Sequence, residues 1–312
     1  MLKRNRTTDS SIQDRGTIFL SAFYDTQGLA LIGNFKWTTY LSNRTSCYLN
    51  TLESGQYCKQ INCQLKDDSP TILWSCSAAG MFVATDQSKK DNSVFHFWNA
   101  IFGNGCIVFH AHHERSRYNK ASEVGDYGEI RVNIVESFYA DLSKPDNPLI
   151  TNSEDVAKLK IEGHEIYVPK KELTSNSHFF DTFFNGDFRE KAQDSYELRE
   201  VKLNDFLQFL GQLHGVRVSI NEKSVHCLLK LADMWQCKLI IDRCEEYLKT
   251  APVKRLQLLK KLELALKFKL YSTLTDVISE MSVQELKKVC VRYDFPAIAH
   301  ELMLMKLCLN NS

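Results

Sequence analysis

His110-Ala111-His112-His113, with Cys106 close upstream, is the one stretch where histidines crowd together. In a strand, alternate residues share a face, so His110 and His112 could jointly hold a metal ion or move a proton. No carboxylate pair, glycine-rich phosphate loop or nucleophile-elbow phrase accompanies them, and a polar strand end is the plainer reading. Zinc is the other chemistry to weigh among ten cysteines, but the spacings Cys58 to Cys63 and Cys237 to Cys244 do not form paired C-x-x-C knuckles. The cysteines are expected as reduced core thiols, with no metal, no cofactor and no catalytic residue assigned.

A second kind of chemistry, recognition, sits in Ser177–Glu190, SHFFDTFFNGDFRE, which holds five phenylalanines. Leu173, Phe180 and Phe184 recur at roughly whole helical turns, and Ser177 falls on the same face. Most of the aromatic rings are therefore expected to be core, on a helix or helix pair. Asn185-Gly186 is expected to end it through a left-handed glycine cap. Phe188-Arg189-Glu190 then falls in a connection, where an apolar ring and a carboxylate can reach a partner.

The elements that carry these residues change character along the chain. From about Gly16, GTIFLSAFY, NFKWTTYL, TILWSCSA, SVFHFWNAIF, CIVFHAHH and GEIRVNIVESF alternate with turn signals, as strands of an antiparallel β-sandwich do. Ile130, Val132 and Ile134 face one way, Arg131 and Asn133 the other. KPDNPLITNSED reads as a linker. KLKIEGHEIYV reads as a hairpin turning at Glu162-Gly163, with Leu159, Ile161, Ile166 and Val168 buried. Asn204 is positioned to cap a helix that carries Phe206, Leu207, Phe209, Leu210 and Leu213 and stops at His214-Gly215. Asn221 is positioned to cap the next, which carries Val225, Leu228, Leu229, Ala232 and Trp235. Beyond Pro252 the chain reads as helices, VKRLQLLKKLELALKF, a start at Ser282 with Glu285 three residues on, and AIAHELMLMKL.

Composition sets outer limits. A chain of 312 residues with 44% hydrophobic content can bury two or three ordinary cores. Thirty-nine basic against thirty-eight acidic side chains leave a net charge of +1, which gives phosphate backbones and anionic membranes nothing general to attract. The opening MLKRNRTTDSSIQDRG is polar where a secretory signal needs an apolar run, and no window approaches a membrane span. An intracellular protein is expected, cytoplasmic with the nucleus open, and with neither nucleic acid nor membrane as partner.

From Asp155 to Leu248 the chain resembles a BTB (POZ) domain. The resemblance is carried in order by Asp155-Val156, Ile161 with Gly163, Lys170 and Leu173, Ser177 with Phe180, Gly186-Asp187-Phe188 with Glu190, and Val201. It continues through Phe206, Leu210, the Leu228-Leu229-x-Leu231-Ala232-Asp233 run, and Cys244-Glu245 with Tyr247-Leu248. Pro169 departs from the histidine, and His214 from the tyrosine, that many members carry. The sandwich in front, with Phe35-x-Trp37 near its start and Trp74-Ser75-Cys76 in mid-domain, is similar to the MATH-type sandwiches joined to BTB domains in a large nematode set. The resemblance implies a multidomain α+β chain. It has a polar tail over 1–15, a MATH-like antiparallel β-sandwich over 16–144, a linker over 145–153, an α/β BTB/POZ domain over 154–250 and a helical extension over 251–312.

The same resemblance implies a function. Such proteins act as substrate adaptors of a ubiquitin ligase, the BTB domain binding cullin-3 and the sandwich capturing the protein to be modified; they are non-catalytic. Phe188-Arg189-Glu190 matches the family's cullin-binding pattern of an apolar residue, any residue, then glutamate. Asp155, Lys170 and Leu173 occupy positions used in homodimerisation, the first two as a buried charged pair. Ile161, Val168, Phe180, Phe184, Phe206, Leu210, Leu228 and Leu231 are the expected core. The substrate is unknown. A BTB scaffold that dimerises without any cullin is the alternative.

Overall fold

The computed structural model describes residues 12–20, 27–42, 57–85, 93–113, 127–186, 195–253, 256–290 and 295–309. The chain forms two compact units, Met1–Glu172 with Asp187–Ser219, and Leu173–Gly186 with Ile220–Ser312. Among the described residues no helix is long and apolar enough to cross a membrane.

Among the described residues the first unit begins with the strands β1 (Asp14–Leu20), β2 (Gln27–Ile32), β3 (Phe35–Ser42), β4 (Tyr57–Leu65), β5 (Ile72–Thr85), β6 (Ser93–Gly103), β7 (Val108–His113) and β8 (Tyr127–Asp141). They make two four-stranded antiparallel sheets, ordered β1-β8-β5-β6 and β2-β3-β4-β7. Strands β2 and β4 were not expected from the sequence. Gln60, Asn62 and Gln64 give β4 a polar outer face, so only Ile61, Cys63 and Leu65 signal burial. Alternation places Ile130, Val132 and Ile134 in the core and leaves Arg131 exposed. Trp37 is fully buried, edge-on to Phe102 at 5.3 Å between centroids, and Phe35 lies 5.6 Å from Trp74. The aromatic markers of the sequence are thus the inter-sheet core. A β-bulge breaks the β5/β8 register between Ser77 and Ala78.

The same unit continues through a short 3₁₀ turn (Ser153–Asp155) into a three-stranded sheet ordered β10-β9-β11, with β9 (Val156–Ile161), β10 (His164–Pro169) and β11 (Tyr196–Glu197). Ile161 pairs with His164, so Glu162-Gly163 is a two-residue turn with φ of 48° and 82°. Both central residues are left-handed, which the type I′ turn requires and glycine allows. Leu159, Ile161, Ile166 and Val168 are fully buried.

Helix α1 (Lys170–Asn176) spans the boundary between the units, and α3 (Leu203–Leu213) lies in the first. Asn204 does not cap α3. The helix begins one residue earlier, and its first N–H, from Leu203, donates to Glu162 Oε2 at 2.8 Å. The hairpin turn supplies a longer carboxylate than the local side chain could.

The second unit contains α2 (His178–Asn185), α4 (Ser224–Met234), α5 (Lys238–Thr250), α6 (Leu258–Lys267), α7 (Tyr271–Glu280), α8 (Val283–Cys290) and α9 (Ala297–Leu309). Asn221 does cap α4: its Oδ1 accepts from Lys223 and Ser224 N–H at 2.9 and 3.0 Å. Ser282 and Glu285 close the capping box of α8. The helix expected from Val253 starts only at Leu258.

Candidate protein-interaction site

Ser177 separates α1 from α2. Its side chain accepts from Phe180 N–H at 3.2 Å as the N-cap of α2 and donates to the Trp235 carbonyl. One buried hydroxyl thereby starts the aromatic helix and ties it to the end of α4. Phe180 and Phe184 then fall on the inner face, 0% and 5% exposed, and Phe180 packs 5.0 Å from Trp235. These two are core, as their spacing indicates.

Phe179 and Phe183 are not in the core. They are half-buried, stack on each other at 5.3 Å with an 18° interplanar angle, and Phe179 also stacks on Trp235 at 6.5 Å. Reading every third or fourth residue as core assigns one face of α2 and misses this second aromatic row, because an i, i+4 pair signals a stripe whichever side it occupies. The row is an ordered, partly solvent-facing aromatic surface immediately before the segment of interest.

Helix α2 ends at Asn185, and Gly186 donates its N–H to Thr182 O at 2.8 Å. Gly186 has φ −68° and ψ 159°, an extended conformation, which corrects the expected left-handed cap. The chain leaves the helix straight, and glycine is not needed for it. Phe188, Arg189 and Glu190 follow and lie outside the described residues.

The expected dimer residues are placed individually. Asp155 accepts from the backbone N–H of Lys171 at 3.1 and 3.2 Å through its two oxygens. It caps α1 from a distance because Pro169, just before the helix, offers no side-chain acceptor. Lys170 is half-buried, and among the described ion pairs none joins it to Asp155. Leu173 is fully buried within the single chain, so it can serve pairing only by fixing α1. Of the remaining expected core, Ile161, Val168, Phe206 and Leu210 are fully buried, Leu228 is 2% exposed and Leu231 4%.

The chemistry weighed at the histidines rests on β7. His110, His112 and His113 belong to that strand by backbone, and their side chains lie outside the described residues. Among the described residues no group of three or more histidine, cysteine, aspartate or glutamate side chains could hold a metal ion. Cys63, Cys76, Cys237 and Cys244 are buried free thiols. Burial pushes the Cys244 thiol up to about 12, far from a reactive thiolate.

The hairpin, the capped aromatic helix and helices α3 to α5 follow one another between Val156 and Thr250. Residues 154–252 match the BTB/POZ domain family model, and the chain carries a BTB/POZ domain over that span. The two antiparallel sheets before it fit a MATH-like sandwich. The whole is similar to BTB and MATH domain-containing protein 36 of Caenorhabditis elegans, 24% identical over 231 residues, covering 70% of this chain and 70% of that protein. It is also similar to protein 38 of the same series and organism, 24% identical over 225 residues, covering 70% of this chain and 57% of that one. Protein 15 of the series is 31% identical over 133 residues, 43% of each chain. The aligned parts thus span between 43% and 70% of these relatives' own lengths.

Proposed function

We propose that this protein is a non-catalytic, intracellular adaptor that pairs with a second copy of itself and recruits cullin-3 of a ubiquitin ligase, while its sandwich captures the protein to be modified. The observation that carries the reading is the aromatic helix. Phe179 and Phe183 form a fixed, partly exposed stack, and the Phe188-Arg189-Glu190 pattern follows the end of α2 within a few residues. An ordered apolar platform followed in the sequence by an apolar ring and a carboxylate has the composition of an interaction hot spot: apolar area for affinity and a charge-assisted hydrogen bond for orientation. The BTB/POZ match and the BTB and MATH relatives support the same division of labour between the halves of the chain.

The test is a pull-down of the purified N-terminal region of cullin-3 by the wild-type chain, by Glu190→Lys and by Phe188→Ala, with light scattering to show that each variant keeps its fold and oligomeric state. Wild-type binding reduced at least about tenfold by either change is the expected result. Equal binding by all three leaves the adaptor and removes the assigned segment. No binding by the wild type overturns the reading in favour of a dimeric scaffold without cullin.

A further inference from the structure

The segment between sandwich and hairpin has linker composition and exposes Ser143, Lys144, Pro145, Asp146 and Pro148, yet three of its side chains are buried. Leu142 is 0% exposed, Asn147 4% and Leu149 3%. Tyr167, in the middle of the edge strand β10, donates its N–H to Leu142 O at 2.8 Å. Its own carbonyl accepts from Asn147 Nδ2 at 3.0 Å. The same amide nitrogen donates to Lys144 O at 2.8 Å, and Asn147 Oδ1 accepts from Leu149 N–H at 3.1 Å. The outward-facing backbone groups of Tyr167 are therefore both used, and the segment takes the place of a neighbouring strand.

Helix α3 meets the sandwich at a second point. Gly105, in the left-handed region at φ +79°, lies so close to Gln208 that a Cβ there would sit 2.4 Å from its carboxamide. A methyl group on Gly211 would stand 2.9 Å from Val218 Cγ2 and 3.5 Å from Leu73 Cδ1, so α3 lies close against the sandwich residue Leu73 there. Both Gln208 and Leu73 are buried. Arg217 Nη1 and Glu136 Oε2, 3.4 Å apart, close the rim. A flexible tether makes none of these contacts.

We infer that residues 141–149 are a docking element for this chain's own hairpin, so that the sandwich, the hairpin β9–β10 and α3 open and close as one cooperative body. The partner of this surface is intramolecular, and two consequences follow. The edge of β10 is occupied at Tyr167, and the sandwich is carried at a fixed position on the front half of the BTB/POZ domain rather than swinging on a linker.

Native-state hydrogen exchange on the intact chain tests this without reference to cullin or substrate. In the wild type, the protection of the Tyr167 amide is expected to fall within about tenfold of that of Ile130 in the sandwich core, since amides of one cooperative unit open together. Protection of Tyr167 more than about tenfold below Ile130 overturns the inference, because the joint would then open alone. In Asn147→Ala, Tyr167 is expected to lose more than about tenfold in protection while Ile130 keeps its own. Unchanged protection of Tyr167 in that variant removes the docking role of the segment.

Discussion

At the scale of single residues, Ser177 and His214 carry more than their types announce. Ser177 is 3% exposed and serves two backbone groups, one at the start of α2 and one at the end of α4. Ser177→Ala is expected to destabilise the chain by roughly 1–3 kcal/mol, measured by denaturant unfolding, since both groups lose a buried partner. His214 is half-buried as a residue, but its Nε2 is out of contact with solvent and without a hydrogen-bond partner. Burial pushes its pKa down to about 4, so the fold holds the neutral ring while the unfolded chain protonates near the ordinary value of 6.5. Its contribution is present in full above that ordinary value and is lost as pH falls toward 4, by an amount on the order of 2–3 kcal/mol. His214→Phe, which has no proton to take up, is expected to flatten the stability profile across that window, read from unfolding at a series of pH values.

At the scale of elements, helix termini are stabilised from a distance. Glu162 serves α3, Asp155 serves α1, and Glu245 Oε1 accepts from the Thr273 N–H and hydroxyl at 3.3 Å near the start of α7. At the other pole, Lys261, 3% exposed, donates to Ala251 O at the end of α5 at 2.6 Å. Lys306 Nζ donates to Ile278 and Met281 carbonyls at the end of α7. Anions at N-termini and cations at C-termini complement the helix dipole, and here each also satisfies an orphan backbone group. Lys261→Met is expected to lower stability by about 1–3 kcal/mol, because a methionine fills the volume but leaves the Ala251 carbonyl unpaired. Glu162→Ala is expected to cost about 1 kcal/mol and Glu162→Gln much less, since the amide oxygen still accepts from Leu203; chemical denaturation of both variants separates the acceptor from the charge.

At the scale of the whole molecule, the proposed dimer gives the sandwich its use. Two copies on a two-fold axis present two capture surfaces to one substrate, and the second contact gains effective concentration. A fixed joint sharpens that gain, because avidity is greatest when the spacing of the two sites matches the substrate. Light scattering is expected to give twice the 36.0 kDa of the chain. Asp155→Lys, which sets a cation at the N-terminus of α1, is expected to shift the particle toward one chain's mass, while Asp155→Asn keeps the acceptor and the dimer.

The amino-acid order by itself determined the strands that alternate cleanly, such as Ile130, Val132 and Ile134, the Glu162-Gly163 hairpin, the buried face of α2 and the succession of features that marks the BTB/POZ domain. The strands, the hairpin and the helix face are local patterns, legible because side-chain direction repeats every two or 3.6 residues, whereas the BTB/POZ features were legible as a resemblance to a known family. Only the tertiary structure decided that Asn204 stands inside its helix while Glu162 caps it, that Phe179 and Phe183 form a second aromatic row, and that Asn147 and Leu149 of KPDNPL are buried. The caps and this burial depend on groups distant along the chain but adjacent in space, as Glu162 is to Leu203 and Tyr167 to Leu142 and Asn147. The aromatic row depends on which side of α2 meets Trp235. Proximity of that kind leaves no periodic mark, since a buried polar group takes whichever partner the packing brings to it.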